Sequence, residues 1–185
     1  MKRLIAIALS GAACITTAQA GEEVPLALGD VPDTVLQAVK TRFDTIALIS
    51  ANTETETDGF MVYEIQGTIP GGEFLAGEYK PLTDEDGELM SPAVNAPAQS
   101  RKVEFDVTAD AEFDEIEIEF AADMVPGAVM KAVNRAYPAF SPQFIEASYS
   151  ASMDVVGYEF SGMQNGQKLD LEVSPSGRHI QEADD

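Results

Sequence analysis

Cysteine, histidine and tryptophan are almost absent from this 185-residue sequence, which has one cysteine (Cys14), one histidine (His179) and no tryptophan. A single cysteine excludes a disulfide framework, a structural zinc site and thiol redox chemistry. A single histidine excludes metal sites built from several histidines and most catalysis that depends on an imidazole. We therefore expect no enzymatic activity, no catalytic residues and no cofactor.

Basic residues are also scarce. The sequence has 11 Lys and Arg against 32 Asp and Glu, which gives a formal net charge of −21. Because a protein that binds nucleic acid neutralises phosphates with a cationic surface, this balance excludes that class of partner. After the N-terminal leader, no segment reaches the roughly 18 apolar residues that a membrane-spanning helix needs. Apolar residues still make up 45% of the chain, which is enough for a packed core.

The first 20 residues have the pattern of a secretory signal peptide. Lys2-Arg3 supplies a positive start, Leu4 to Leu9 an apolar stretch, and Ala18-Gln19-Ala20 a small-residue cleavage site. The sequence therefore predicts a mature protein that begins near Gly21 and is periplasmic or secreted.

Cys14 introduces the alternative of a lipid-anchored protein. A bacterial lipoprotein signal requires Leu, Val or Ile three residues before the modified cysteine, and Gly11 stands at that position. Anchoring through Cys14 is therefore disfavoured. The mature chain is then expected to have no cysteine, which suits an oxidising compartment.

The chain contains three pairs of similar segments in the same order. The offset between partners is 94 residues for the first pair, 95 for the second and 66 for the third. The fall in offset indicates about 29 extra residues within the range 68–101. We therefore predict a first repeat over 21–120, with this insertion, and a second repeat over 121–185. The pairs are Val31–Val39 with Val125–Val133, Tyr63–Gly67 with Tyr158–Gly162, and Lys102–Thr108 with Lys168–Ser174.

Each repeat is predicted to contain one helix followed by antiparallel strands. Val35, Val39 and Phe43 recur at helical spacing after Pro32, and the second repeat has the same pattern. In the strands, apolar and acidic residues alternate, as in Val103 to Val107, which is typical of strands with one buried face. The sequence thus predicts an α+β fold of two tandem repeats, each with one helix packed on a small antiparallel β-sheet. Whether the two sheets join into one is left open by the sequence.

A helix opened by Val-Pro-x-x-Val-x-x-Ala-Val, then a Tyr-Glu strand and a hairpin of alternating acidic residues, resembles the PepSY-like family of small secreted bacterial domains. The resemblance covers most of 30–67 and 102–185, and the layout of that family is similar to that of the β-lactamase inhibitor proteins. It implies a non-catalytic module outside the cytoplasm that binds or restrains peptidases or other extracytoplasmic proteins. The family has no catalytic residues to carry over, and the insertion in the first repeat departs from its pattern.

The acidic residues that alternate with core residues form the first candidate site. They would lie on the solvent-facing side of the sheet and could dock a basic extracytoplasmic protein or peptide, or serve only to keep the protein soluble. Phe74 and Tyr79, in the insertion, are added as aromatic contacts for the partner, and the protein itself is expected to be a monomer. The acidic candidates are Glu104, Asp106, Glu115, Glu117, Glu119, Asp170 and Glu172.

A divalent cation such as calcium is the alternative ligand. Asp84-Glu85-Asp86-Gly87-Glu88 resembles part of an EF-hand loop, but Leu82 and Ala93 then occupy the first and twelfth positions, which need acidic ligands. A cation site of another type remains an alternative, although such residues are also common in turns for conformational reasons. Its candidate ligands are Asp84, Asp86, Asp110, Glu112 and Asp114.

Overall fold

The computed structural model describes residues 23–55, 60–78 and 96–183. Within these ranges, no helix is long and apolar enough to cross a membrane. The sequence predictions that lie outside the described residues are the signal peptide (1–20), Cys14, Tyr79, Asp84 and Asp86.

Nine strands and two α-helices make up most of the described chain. In chain order the elements are β1 (Glu23–Leu26), a 3₁₀ turn (Leu28–Asp30), α1 (Asp33–Arg42), β2 (Ala47–Thr55), β3 (Met61–Ile69), β4 (Arg101–Thr108), β5 (Phe113–Glu119), α2 (Gly127–Ala136), β6 (Phe140–Ser150), β7 (Val155–Gln164), β8 (Gln167–Val173) and β9 (Ile180–Glu182). Each strand pairs antiparallel with the next one in sequence, so the sheet runs from β1 to β9 without a crossover.

The two predicted repeats do not form two separate small sheets. β5, in the first predicted repeat, pairs with β6, in the second, and the register places Ile118 opposite Ala147. The prediction of two tandem units, each one helix on its own sheet, is therefore wrong, and a single nine-stranded sheet replaces it. Separate sheets would each leave an edge strand unpaired at this junction, whereas joining them satisfies the backbone N–H and C=O groups of both strands.

Both helices pack on the same face of this sheet. Val35 and Val39 of α1 and Val129 and Val133 of α2 are at most 2% exposed, as their spacing predicts. Together with the inward residues of the strands they belong to one apolar cluster, which runs from β2 to β8. We call this the helix side of the sheet and the opposite one the open face.

The two helices begin and end with the same backbone geometry. Pro32 precedes α1 with φ −53° and ψ 134°, and Pro126 precedes α2 with φ −53° and ψ 133°. At the other end, Phe43 and Tyr137 each donate their backbone N–H to the carbonyl four residues earlier at 2.8 Å. Matched sequence segments thus adopt matched local structure, while an internal repeat over the whole chain stays a prediction.

Tyr158 of β7 links the core to the pH dependence of stability. It is 4% exposed on the helix side, and burial raises its pKa to about 12. An unfolded tyrosine titrates near pH 10, so the folded state keeps this proton after the unfolded state has lost it. The contribution of Tyr158 to stability is therefore complete below about pH 10 and is lost as the pH rises from about 10 to 12.

We expect Tyr158→Phe to reduce this alkaline loss of unfolding free energy by about 1–2 kcal/mol, measured by urea unfolding between about pH 9 and 12. The variant should still lose some stability at alkaline pH, because burial also raises the pKa of Tyr149. The pH dependence of the variant is therefore compared with that of the wild type. Equal alkaline losses in the variant and the wild type would contradict the prediction.

Candidate functional site

Carboxylates dominate the open face. All seven acidic residues predicted from the sequence lie on it, because each alternates along its strand with residues of the core cluster. The structure adds further glutamates on the same face that the sequence did not predict. Among them are Glu54 on β2, Glu64 on β3, Glu146 on β6 and Glu159 on β7.

Strand register brings carboxylates of neighbouring strands directly opposite one another. Glu104 of β4 faces Glu117 of β5, and Asp106 faces Glu115. On the other side of β4, Asp106 is opposite Glu64 of β3. Like charges in directly opposed positions of a sheet are destabilising by a fraction of a kcal/mol each, so this arrangement works against the fold.

A second set of opposed carboxylates crosses the sheet from β5 to β8. Glu119 is opposite Glu146, Glu146 is opposite Glu159, and Glu159 is opposite Glu172. Three of these side chains are half-buried and Glu172 is exposed. We call these four residues the glutamate row.

The predicted acids differ in how far solvent reaches them. Asp106 is 4% exposed, Glu115 5% and Glu117 6%, although they had been expected to face water. A partner therefore has little access to these three side chains as they stand. The more accessible acids of the open face include Glu104, Asp170 and the glutamate row.

The β2–β4 part of the open face is a hydrogen-bonded polar network. Ser50 Oγ donates to Gln66 Oε1 at 2.8 Å, and Gln66 Nε2 donates to Glu104 Oε2 at 3.0 Å. Asn52 Nδ2 and Gln66 Nε2 each donate to Glu64 at 3.4 Å. Amide side chains thus bind Glu64 and Glu104 within the protein. In the glutamate row, Gln181 Nε2 donates to Glu172 Oε2 at 2.7 Å, and the backbone N–H of Lys102 donates to Glu119 Oε2 at 2.8 Å.

Asp170, on β8, lies next to the glutamate row and is paired with a lysine. Lys168 Nζ is 2.7 Å from Asp170 Oδ2, and the lysine side chain is 71% exposed. The hydrogen bond from Lys168 holds the pKa of Asp170 below its usual value. A surface pair of this kind contributes little to stability. Because Asp170 is paired with Lys168, we place it beside the glutamate row and do not count it as a member.

Phe74 does not lie on the open face. Its ring centroid is 5.7 Å from the guanidinium carbon of Arg101, which is buried at the start of β4. Its neighbour Leu75 belongs to the core cluster of the helix side. A partner that covers the glutamate row would therefore not reach Phe74.

Three of the five candidate cation ligands lie around the turn between β4 and β5, and the other two, Asp84 and Asp86, lie outside the described residues. Asp110 and Glu112 are exposed in the turn, and Asp114 is half-buried in β5. In the ranges that the structure describes, no group of three or more acidic, histidine or cysteine side chains could hold a metal ion. A cation site at these residues stays a prediction from the sequence.

Comparisons with known proteins identify similar folds and no family. No protein-family model matches the sequence, and no curated protein matches it significantly. A solved DUF2874 family protein from Bacteroides uniformis matches with a TM-score of 0.50 and 12% identity, over 82% of this chain and 89% of that chain. At this identity the match shows a shared fold.

Two further solved structures are similar at slightly lower scores. A BLIP-like protein from Bacteroides fragilis matches with a TM-score of 0.49 and 16% identity, over 83% of this chain and 88% of that one. A protein from Bacteroides eggerthii described as periplasmic matches with a TM-score of 0.49 and 15% identity, over 82% and 88%. Membership in the PepSY-like family stays a prediction.

Proposed function

We propose that this protein is a non-enzymatic binding module of the periplasm or the extracellular space, and that its glutamate row docks a basic segment of a partner protein. The register carries the proposal, because it sets Glu119, Glu146, Glu159 and Glu172 side by side on four neighbouring strands. All four are half-buried or exposed, so a partner can reach them.

The electrostatics of the glutamate row favour a cationic partner. Each opposed pair of like charges costs the folded protein up to about 1 kcal/mol, and a bound Lys or Arg side chain would relieve that repulsion. A field of one sign also accelerates association with a partner of opposite charge and selects against acidic ones. The row is therefore better suited to recognition than to stability.

The spacing of the glutamate row indicates how the partner lies. Neighbouring strands are about 4.8 Å apart, whereas same-face side chains along one extended strand are about 6.8 Å apart. Side chains at i and i+3 or i+4 of a helix are about 5–6 Å apart. The row therefore matches a basic helix that crosses the strands better than an extended basic segment.

Calorimetric titration with synthetic peptides tests the proposal. The probe is a helical peptide with Lys at positions i, i+4, i+7 and i+11, and its control carries Gln at those positions. We expect the mature protein to bind the lysine peptide at about 0.01 M salt and at least roughly tenfold more weakly at about 0.15 M, where screening is stronger. The glutamine peptide should give no heat of binding.

Two charge-matched variants locate the binding surface. The first converts all four glutamates of the row to Gln and should abolish binding, while also raising the free energy of unfolding by about 1–2 kcal/mol. The second removes four exposed carboxylates outside the strands, by Asp44→Asn, Asp110→Asn, Glu112→Gln and Asp123→Asn, and should retain binding. Equal loss of binding in both variants, or no binding by the wild type, would refute the docking role of the row.

Two observations outside the row support the proposed location. The first 20 residues have the pattern of a signal peptide, and several similar solved structures are of proteins described as periplasmic. Membership in the PepSY-like family, restraint of a peptidase, a monomeric state and the repeat boundaries at 21–120 and 121–185 are finer predictions within this proposal.

A further inference from the structure

A pocket of about 200 Å³ lies beside the glutamate row, at the end where β5 and β6 meet. One wall is the chain that follows β5, residues 120–122, and the other is residues 142–145 of β6. The backbone N–H of Phe120 donates to the carbonyl of Ile145 at 2.8 Å, which joins the two walls. Glu119, the first member of the row, also lines the pocket. The pocket and the row are therefore parts of one surface.

Most of the pocket wall is apolar. Phe144 is half-buried on the open face, two residues before Glu146 on the same strand. Pro142 precedes it at a bulge of β6. On the other wall, Ala121 and Ala122 are exposed and too small to fill the space between the walls. A cavity of about 150 Å³ with apolar walls is enough to hold benzene, so this pocket has room for one apolar side chain of a partner.

A lysine of the protein itself lies at this end of the row. Lys102 Nζ is 5.4 Å from the ring centroid of Phe144, and the lysine side chain is exposed. The backbone N–H of the same lysine donates to Glu119 Oε2 at 2.8 Å. The ammonium group repels a second cation placed over Phe144, whereas it does not repel an apolar side chain. This end of the surface therefore favours an apolar group of the partner, and the remaining glutamates favour its cations.

We propose that the pocket takes one apolar side chain, such as Leu, from the same basic helix that docks on the glutamate row. This inference rests on the proposed function and adds to it the chemistry of the partner. Residues two apart on an extended strand are about 6.8 Å apart, so Phe144 lies to one side of the row and not in line with it. The partner is therefore a helix with a basic stripe and an apolar residue beside one end of that stripe. The carboxylates select the partner by charge, and burial of the apolar side chain adds affinity.

A leucine scan of the lysine peptide tests this inference. Every peptide keeps Lys at i, i+4, i+7 and i+11 and carries a single Leu in place of Ala at one of the other positions, so the charge is constant. We expect a leucine beside the first or the last lysine to strengthen binding by at least about fivefold in calorimetric titration, because it becomes buried. The gain should persist at about 0.15 M salt, since burial of apolar surface is not screened. Leucine on the face opposite the lysines should leave the affinity unchanged.

Variants of the protein assign the gain to the pocket. Ala121→Leu fills the pocket and should remove the gain from leucine, while binding of the lysine peptide without leucine stays within about twofold of the wild type. Phe144→Ala removes part of the wall and should also reduce the gain. Ala136→Leu is the matched control, because it places the same side chain at an exposed position at the end of α2 and should keep the full gain.

The outcomes distinguish this inference from the proposed function. If the lysine peptide binds but no leucine position strengthens binding, or if the gain survives in both pocket variants, the pocket has no such role and docking at the row stands. Absence of binding by every peptide, with or without leucine, would refute both.

Discussion

Phe105→Ala is expected to lower the free energy of unfolding by about 3–5 kcal/mol, the range for deletion of a buried aromatic side chain. Phe105, on β4, is fully buried. Its ring stacks on Phe43 at the end of α1 with a centroid distance of 5.1 Å and meets the edge of Phe113 of β5 at 6.0 Å. The substitution would open a cavity where a helix and two strands meet, and urea unfolding followed by circular dichroism would measure the loss.

The same experiment tests whether the two predicted repeats share one core. Because a single apolar cluster spans the sheet, we expect one cooperative transition that shifts as a whole in Phe105→Ala. Two transitions, with only one displaced, would contradict this expectation. Phe60→Ala is the matched control, since it removes the same atoms from a side chain that is 63% exposed, and it should change stability by less than about 0.5 kcal/mol.

The helices were predictable from sequence because their apolar residues recur at helical spacing directly after Pro32 and Pro126. Strands β4 and β8 were also predictable, because their apolar and acidic residues alternate regularly along the chain. β6 was not identified, because it contains Pro142 and two bulges that interrupt the alternation. Without β6, nothing in the sequence indicates that β5 continues into a second half of the same sheet.

The candidate site was predictable in its chemistry and not in its extent. Alternation placed Glu117 and Glu119 on the correct face, but it carries no information about how neighbouring strands shield each side chain. Glu146 and Glu159 were missed for different reasons. Glu146 lies in the unidentified β6, and Glu159 was treated only as part of the Tyr-Glu pattern of its repeat. The glutamate row exists only once the register between strands is known.

Gly162→Ala is expected to destabilise the protein by about 3 kcal/mol or more, because no side chain fits at this position of β7. A Cβ there would lie 2.2 Å from the carbonyl oxygen of Ser141 and 2.9 Å from the Cα of Pro142. Both are backbone atoms of β6 next to a bulge, so the two strands would have to separate locally. Thermal and urea unfolding would measure the effect.

The matched glycine of the first predicted repeat provides a graded comparison. At Gly67 the nearest atom to an added Cβ is the Cγ2 of Ile46 at 2.6 Å, and a side-chain methyl group can move more easily than backbone. Gly67→Ala should therefore cost about 1–2 kcal/mol, less than Gly162→Ala. Gly29→Ala should have almost no effect, because nothing lies within 4 Å of a Cβ at that position. If Gly162→Ala proved as mild as Gly29→Ala, β6 and β7 could not be as close as their register requires.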